Sequence, residues 1–81
     1  MRWQHTERSR KSYQEAPPAL QKAFDKQVRF LAENLHHPSL RAKKYDESRD
    51  IWQARINRDW RFYFTSAGDT YIIEDIIPHP K

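Results

Sequence analysis

Two arginines stand six residues apart in the segment ARINRDWRFYF, residues 54–64, and both are candidates for binding an anion. Apolar and polar residues alternate on either side of them, which is typical of half-buried antiparallel β-strands. If the segment folds back as a hairpin, Arg55 and Arg61 become neighbours on one sheet face. Their charges repel there, and a phosphate between them would convert that repulsion into a two-pronged binding site.

The alternation also predicts how this hairpin pairs. The apolar residues of both strands share one face only when Ile56 lies opposite Trp60. That register leaves a loop at residues 57–59, which is a common hairpin length, and it sets Arg55 opposite Arg61. A two-residue loop would place Ile56 against Arg61 and mix the two faces. The predicted strands are residues 51–57 and 60–65.

The next strand offers a second interpretation of the arginine pair. The segment TYIIEDII, residues 70–77, follows a turn that contains the only glycine of the chain, Gly68. Its Glu74 or Asp75 would neutralise one arginine in a structural ion pair. The apolar residues of this strand do not alternate cleanly, so we expect it to be covered on both faces or to contain a bulge.

Further cations and a histidine flank the hairpin. Arg41, Lys43 and Lys44 lie in a predicted strand at residues 41–46, and His79 follows the last strand between two prolines. Separately, the lysines suit a solvated edge strand, and the histidine suits an exposed terminal side chain. Together with the arginine pair they suffice for metal-free RNA cleavage. Cations hold a phosphodiester and stabilise its transition state, a histidine transfers a proton, and the ribose 2′-OH attacks its own phosphate.

Two helices are predicted ahead of the hairpin. In residues 19–35 apolar side chains recur at intervals of three and four, which indicates an amphipathic helix. Its start is expected at Pro17 and Pro18, and Pro38 stops it after the two histidines at residues 36–37. The apolar stripe consists of Leu20, Phe24, Val28, Leu31 and Leu35.

The segment before the long helix is more polar. Residues 6–14 predict a shorter, poorly anchored helix with Thr6 as its N-cap, preceded by a short strand at residues 2–5. Trp3 and Tyr13 are its main apolar contacts, unless a partner covers it. The order of elements predicts an α+β fold in one domain, residues 1–81. Two N-terminal helices would pack on one face of a small antiparallel sheet, a meander of three or four strands.

Composition excludes several classes of function. The chain has no cysteine and one glycine, so no thiolate metal site and no glycine-rich phosphate loop can form. No histidine or carboxylate spacing indicates a metal, and we expect no cofactor. No apolar run suggests a signal peptide or a membrane span, so we expect a cytoplasmic protein. The net charge of +4 favours a polyanionic partner, nucleic acid or an acidic protein segment, although it also suits ordinary solubility.

The stretch from Ala16 to His79 resembles the RelE/ParE superfamily of type II toxin–antitoxin toxins. The resemblance lies in three segments that occur in the expected order: PPALQKAFDKQVRFLAENLHHPSLRAKKY, IWQARINRDWRFYF and DTYIIEDIIPHP. It implies a compact sheet with two N-terminal helices, neutralised by a cognate antitoxin that wraps around it. In the RelE and HigB-like branch it implies cleavage of mRNA in the ribosomal 30S A site. The ParE branch instead inhibits DNA gyrase, and a degenerate member would only bind antitoxin or operator DNA.

The resemblance also implies roles for single residues. Arg61 of RDWRF resembles the arginine that stabilises the phosphate, and Arg55 of ARI resembles a second phosphate contact. Lys43 or Lys44 resembles a further RNA-binding cation beside Arg41, with the choice between the lysines open. His79 of IIPHP resembles the histidine that acts as general acid or base.

One feature of the superfamily has no counterpart at the matching place. Relatives commonly carry an acidic residue and a tyrosine after that histidine, where this sequence has Pro80 and Lys81. If a tyrosine is needed for base stacking or proton transfer, Tyr45, Tyr63 or Tyr71 would have to supply it.

Two further features favour an antitoxin partner. The predicted sheet has an exposed basic face, and the first helix has few apolar residues. An acidic, amphipathic antitoxin peptide could cover both.

Overall fold

The computed structural model describes residues 1–79 and shows the predicted α+β fold. Its elements in chain order are β1 (Arg2–His5), α1 (Glu7–Glu15), α2 (Pro18–Glu33), a 3-10 turn (Pro38–Leu40), β2 (Lys43–Asp46), β3 (Ile51–Arg55), β4 (Trp60–Ala67) and β5 (Thr70–Pro78). Within the described range, neither helix is long and apolar enough to cross a membrane.

The five strands form one sheet in the order β1-β5-β4-β3-β2. Strands β2 to β5 make the predicted antiparallel meander, with four strands. The expectation of a wholly antiparallel sheet was wrong, because β1 pairs with β5 in parallel and makes the sheet mixed. No tight turn joins β1 to its neighbour. Both helices and three strands lie between them, so local turn chemistry does not set the direction of β1.

The β3–β4 hairpin has the predicted register. Ala54 lies opposite Phe62, and Arg55 lies opposite Arg61. The Ile56 amide donates to the carbonyl of Trp60 at 3.0 Å, which closes the three-residue loop. The strand itself ends at Arg55, two residues before the predicted end. Apolar side chains therefore collect on one face of the hairpin, and the arginines lie on the other.

Helix α2 covers the apolar face of the sheet. Phe24 is fully buried and its ring meets that of Phe62 edge to face, with centroids 5.3 Å apart. Four of the five residues in the predicted stripe are buried on α2: Leu20, Phe24, Val28 and Leu31. These side chains and the inward residues of β3, β4 and β5 form a continuous apolar core.

The end of α2 differs from the prediction. The helix stops at Glu33, so His36 and His37 lie beyond it rather than in its last turn. Asn34 has an extended backbone, and its side-chain oxygen accepts from the amide of His36 at 2.9 Å. Such short polar side chains compete with helical backbone hydrogen bonds, which explains the earlier end.

Helix α1 has no apolar stripe; besides the predicted packing of Tyr13 against the core, polar contacts anchor it. Thr6 caps it as predicted by accepting from the amide of Ser9 at 3.1 Å. The same hydroxyl donates to the carbonyl of Glu74 at 3.1 Å, and Ser12 donates to the Asp75 carboxylate at 2.9 Å. These bonds tie α1 to β5 beyond the point where β1 ends. The expectation of a poorly anchored helix was therefore wrong, because hydroxyl groups, which hydrophobic periodicity does not detect, add anchors to the predicted contact of Tyr13.

Strand β5 contains a bulge, one of the two alternatives that its irregular pattern left open. Tyr63 pairs with Asp75, and the next residue, Phe64, pairs with Ile73, so Glu74 is the extra residue. The turn before this strand is made by Gly68, whose φ of 61° favours glycine. The bulge allows both halves of β5 to place isoleucines in the core, Ile73 and Ile76.

A histidine lies at the edge of the core. The His5 ring stacks on Phe24 with centroids 5.5 Å apart, and its Nδ1 lies 2.7 Å from the hydroxyl of the buried Ser9. Burial, and then the positive charge of Arg10, lower the pKa of His5 below its usual value of 6.5, and the smaller opposing effect of Asp25 does not restore it. The folded protein therefore favours the neutral ring.

This preference predicts a loss of stability in weak acid. The contribution of His5 is fully present above pH 6.5, and it declines as the pH falls below that value, because the unfolded chain then takes up a proton that the folded chain disfavours. Denaturant unfolding at a series of pH values between about 7.5 and 5.5 measures the slope. We expect His5→Asn to flatten the slope and the exposed-histidine control His36→Asn to keep it. Equal slopes in the wild type and His5→Asn would show that His5 does not cause the loss of stability in weak acid.

Candidate anion-binding site

A basic cavity of about 230 Å³ opens on the sheet face that α2 leaves uncovered. Three segments meet there: the end of the 3-10 turn with β2, the β3–β4 hairpin, and the residue after β5. We name it the proximal cavity. Its charged or titratable lining residues are Arg41, Lys43, Arg55, Arg61 and His79. Among the described residues no carboxylate lines it, so its field favours an anion.

The arginine pair at its centre is not neutralised by β5. Glu74 accepts from the Thr65 hydroxyl at 2.9 Å, and Asp75 accepts from Ser12 on α1. Within residues 1–79, neither carboxylate forms an ion pair with Arg55 or Arg61. The interpretation of a structural ion pair was therefore wrong. The bulge and α1 give both carboxylates other partners.

Arg61 is held in place by the hairpin loop. Its Nη1 donates to the carbonyls of Asn57 at 2.6 Å and Trp60 at 2.9 Å, with a longer bond of 3.4 Å to Arg58. Burial, and then the positive charges of Arg55 and Arg41, lower the pKa of Arg61. A guanidinium still remains protonated near neutral pH, so the cation is fixed before any ligand arrives.

His79 lies beside this loop because the backbone continues to pair after β5 ends. Its amide donates to the carbonyl of Asp59 at 2.7 Å, one step beyond the pairing of Pro78 with Trp60. The residue is exposed, as the alternative interpretation expected, and it also lines the proximal cavity. The His79 side chain can therefore exchange protons with solvent and contact an anion bound in the cavity.

The two lysines of β2 point to opposite faces of the sheet. Lys43 lies opposite Gln53 and lines the proximal cavity. Lys44 lies opposite Trp52, with its Nζ 4.9 Å from the centroid of that ring. Lys44 also forms an ion pair with Asp50, and the hydrogen bond in that pair raises the pKa of Lys44. Of the two lysines left open by the sequence, the geometry brings Lys43 to the cavity and keeps Lys44 away from it.

Arg41 reaches the cavity from a strained backbone. Its φ of 47° lies in the left-handed region, which is uncommon for a residue with a side chain. The residue ends the 3-10 turn, and its amide donates to the carbonyl of Pro38 at 3.4 Å. The predicted strand at residues 41–46 accordingly begins only at Lys43. This turn brings Arg41 into the cavity lining beside Arg55, whereas the sequence predicted that an extended strand begins at Arg41.

One polar residue of the proximal cavity, Gln53, was not predicted from the sequence. Gln53 is 9% exposed, lines the proximal cavity, and donates through Nε2 to the Tyr63 hydroxyl at 3.2 Å. The signal that could have found it is its place two residues before Arg55 on the same strand face. An amide at this position offers a neutral hydrogen-bonding group beside the cations.

Two of the three tyrosines are on the open face of the sheet. Tyr45 is 62% exposed and meets Tyr63 edge to face, with centroids 4.7 Å apart. Tyr71 instead lies in the core against Phe64. Because Tyr71 is buried, only Tyr45 and Tyr63 are placed to contact a ligand on the open face.

Comparison with solved structures places this arrangement in a known fold. A YoeB/ParE toxin from Agrobacterium tumefaciens superposes with a TM-score of 0.80 at 15% identity, over 99% of this chain and 100% of that one. The YoeB dimer of Staphylococcus aureus gives 0.81 at 14%, over 99% and 98%. The RelB-RelE antitoxin-toxin complex from Methanococcus jannaschii gives 0.71 at 16%, over 91% and 87%. The fold is that of the YoeB and RelE toxins. No protein-family model and no curated protein sequence matches the chain.

In this YoeB/RelE-like fold the arginine pair predicts a measurable response to anions. We expect Arg55→Gln to raise the free energy of unfolding by a few tenths of a kcal/mol at low ionic strength, because the repulsion is relieved, and we expect about 1 M salt to remove the gain. Inorganic phosphate at constant ionic strength should stabilise the wild type more than the variant. Denaturant unfolding with and without phosphate measures both effects.

The matched control is Arg29→Gln, which removes the same charge from the exposed side of α2. It should leave the response to phosphate unchanged. If phosphate stabilises the wild type and both variants equally, the arginine pair is not an anion site.

Proposed function

We propose that this chain is the toxin of a type II toxin–antitoxin pair and that it cleaves mRNA on the ribosome. The observation that carries the proposal is the proximal cavity, where four cations and one histidine converge and where the described residues place no carboxylate. The YoeB- and RelE-like fold supports it, because YoeB of Staphylococcus aureus and RelE of Methanococcus jannaschii are the toxins of toxin-antitoxin complexes. Its place of action would be the cytoplasm.

In this proposal the cavity holds the phosphodiester that is cut. Arg55 and Arg61 would each donate to its non-bridging oxygens, which gain negative charge in the transition state. Because the loop carbonyls already fix Arg61, it would stabilise that charge without reorganising. Arg41 and Lys43 would hold the RNA on either side of the reacting group.

The reaction would be a transesterification within the RNA. The ribose 2′-oxygen forms a bond to phosphorus and loses its proton, the bond from phosphorus to the 5′-oxygen breaks, and that oxygen gains a proton. The products are a 2′,3′-cyclic phosphate and a free 5′-hydroxyl. His79 would transfer one of these protons, as general acid or base, and water would exchange the other. The substrate supplies its own nucleophile, so the scheme requires no metal or cofactor.

The same surface would bind the antitoxin when the toxin is at rest. RelE of Methanococcus jannaschii is found in an antitoxin-toxin complex, and YoeB of Staphylococcus aureus forms a heterotetrameric complex with YefM. For this chain we propose an acidic antitoxin segment whose carboxylate occupies the position between Arg55 and Arg61. Charge complementarity would then block the cavity until the antitoxin is removed.

The central prediction concerns Arg61 and His79. When the chain is induced without its antitoxin, we expect codon-phased cuts in a translated reporter mRNA, mapped as new 5′ ends by primer extension. Loss of one charge-stabilising donor in Arg61→Ala should lower the cleavage rate about 10²- to 10³-fold. Loss of the proton-transfer group in His79→Ala should lower it about 10²- to 10⁴-fold.

The loss of cleavage can be assigned to the missing side chains only if both variants are folded. Thermal unfolding followed by circular dichroism checks that they are. Cleavage at the wild-type rate in both variants would contradict the proposal. Growth arrest with intact mRNA and accumulated DNA cleavage complexes would also contradict it, and would instead indicate gyrase inhibition of the ParE type.

The two lysines of β2 provide a matched test within one strand. Lys43→Ala should weaken cleavage about tenfold through loss of one phosphate contact, and Lys44→Ala should leave the rate unchanged because its side chain lies on the other sheet face. Primer extension at equal protein levels compares them. The proposed orientation of the substrate is wrong if Lys44→Ala is the more damaging change.

A further inference from the structure

A second basic cavity, of about 480 Å³, adjoins the proximal cavity. We name it the distal cavity. It lies between α2, the 3-10 turn and the end of β3, and its cations are Lys26, Arg41 and Arg55. Arg41 and Arg55 line both cavities, so the two form one continuous basic surface. Within the described part of the chain, no carboxylate lines the distal cavity either.

The floor of the distal cavity is a buried glutamine on α2. Gln27 is 4% exposed, and its Nε2 donates to the carbonyls of Arg55 at 2.8 Å and Ser39 at 3.0 Å. Its side-chain oxygen accepts from the Ser39 hydroxyl at 3.1 Å. One side chain thereby ties α2 to the strand that carries Arg55 and to the turn that precedes Arg41. These bonds fix the backbone segments from which the three cations extend.

Lys26 is available for a ligand. It is exposed, and among residues 1–79 it forms no ion pair. The adjacent carboxylate, Asp25, accepts the Tyr13 hydroxyl at 2.9 and 3.1 Å and so has another partner. No carboxylate in the cavity lining neutralises Lys26, Arg41 or Arg55, so together they raise the local positive potential. A bound anion would relieve the repulsion among them.

We infer that the distal cavity binds the phosphodiester next to the one that is cut, with Lys26 as its principal contact. The inference rests on the proposed function. A single RNA strand would cross the row formed by Arg41 and Arg55, with one phosphate in each cavity. The strand would then leave over the C-terminal half of α2. Lysine holds a phosphate as a point charge, so this contact would set position and affinity without reading sequence.

The test measures binding, so that it does not depend on cleavage. Fluorescence anisotropy with a labelled single-stranded 2′-deoxy oligonucleotide of about eight residues, which lacks the attacking hydroxyl, reports affinity over a series of salt concentrations. We expect Lys26→Ala to weaken binding several-fold, and we expect the slope of log affinity against log salt to fall by about 0.7, the value for one phosphate contact on a single strand.

Lys22→Ala is the matched control, because Lys22 lies one turn earlier on α2 and does not line the distal cavity. It should leave the slope unchanged. A dinucleotide with a single phosphate fills only one cavity, so Lys26→Ala should not alter the affinity for it. Equal salt slopes for the two lysine variants on the longer oligonucleotide would overturn the inference.

The outcomes separate this inference from the proposed function. Cleavage by the wild type together with an unchanged slope in Lys26→Ala overturns the distal cavity alone. A reduced slope in Lys26→Ala together with intact mRNA in cells supports the distal cavity and overturns the proposed reaction. If Lys26→Ala weakens only the binding of an acidic peptide and not of the oligonucleotide, the cavity belongs to a protein partner and the inference is wrong.

Discussion

The apolar pairing across the β3–β4 hairpin determines where the basic residues of this protein lie. Ala54 and Phe62 are fully buried beneath α2, and a slip of one residue would put them on opposite faces and turn one of them toward solvent. Burying one phenylalanine contributes about 1.5–3 kcal/mol, whereas two like charges facing each other cost a few tenths of a kcal/mol. The free energy of apolar burial therefore exceeds the cost of charge repulsion. Arg55 and Arg61 face each other because the buried residues determine the register of the hairpin.

The basic surface is ordered mainly by hydrogen bonds to backbone carbonyls around that hairpin. Carbonyls of the loop hold the Arg61 guanidinium, and the Asp59 carbonyl holds His79 just beyond the last strand. Gln27 ties the long helix to the ends of the segments that carry Arg55 and Arg41. Groups at the ends of rigid elements can thus meet a ligand without first becoming ordered, which is how many proteins arrange their binding residues.

Local patterns predicted most of this architecture. Periods of 3.6 and 2 indicated α2 and the hairpin, and the requirement for a single apolar face fixed the register down to the pairing of Arg55 with Arg61. These features follow from residues close in sequence, and they include the helix cap at Thr6 and the turn at Gly68.

What local patterns could not supply depends on distant contacts. The parallel pairing of β1 with β5 joins the two ends of the chain, and the partner of Asp75 is a serine on α1. Separating Lys43 from Lys44 required knowing which face of the edge strand α2 covers. The role of Gln27 could not be predicted, because its hydrogen-bond partners lie on segments that are distant in sequence. In the sequence it is only a polar residue beside the apolar stripe of α2.

We expect a phosphate to bind between Arg55 and Arg61, and nuclear magnetic resonance of the arginine side chains can detect it there. Arginine Nε–H signals would be followed while a single-stranded 2′-deoxy oligonucleotide is added, with single-arginine variants used to assign them. The signals of Arg55 and Arg61 should shift together and saturate at one ligand concentration. Saturating shifts at other arginines, with these two unmoved, would contradict it.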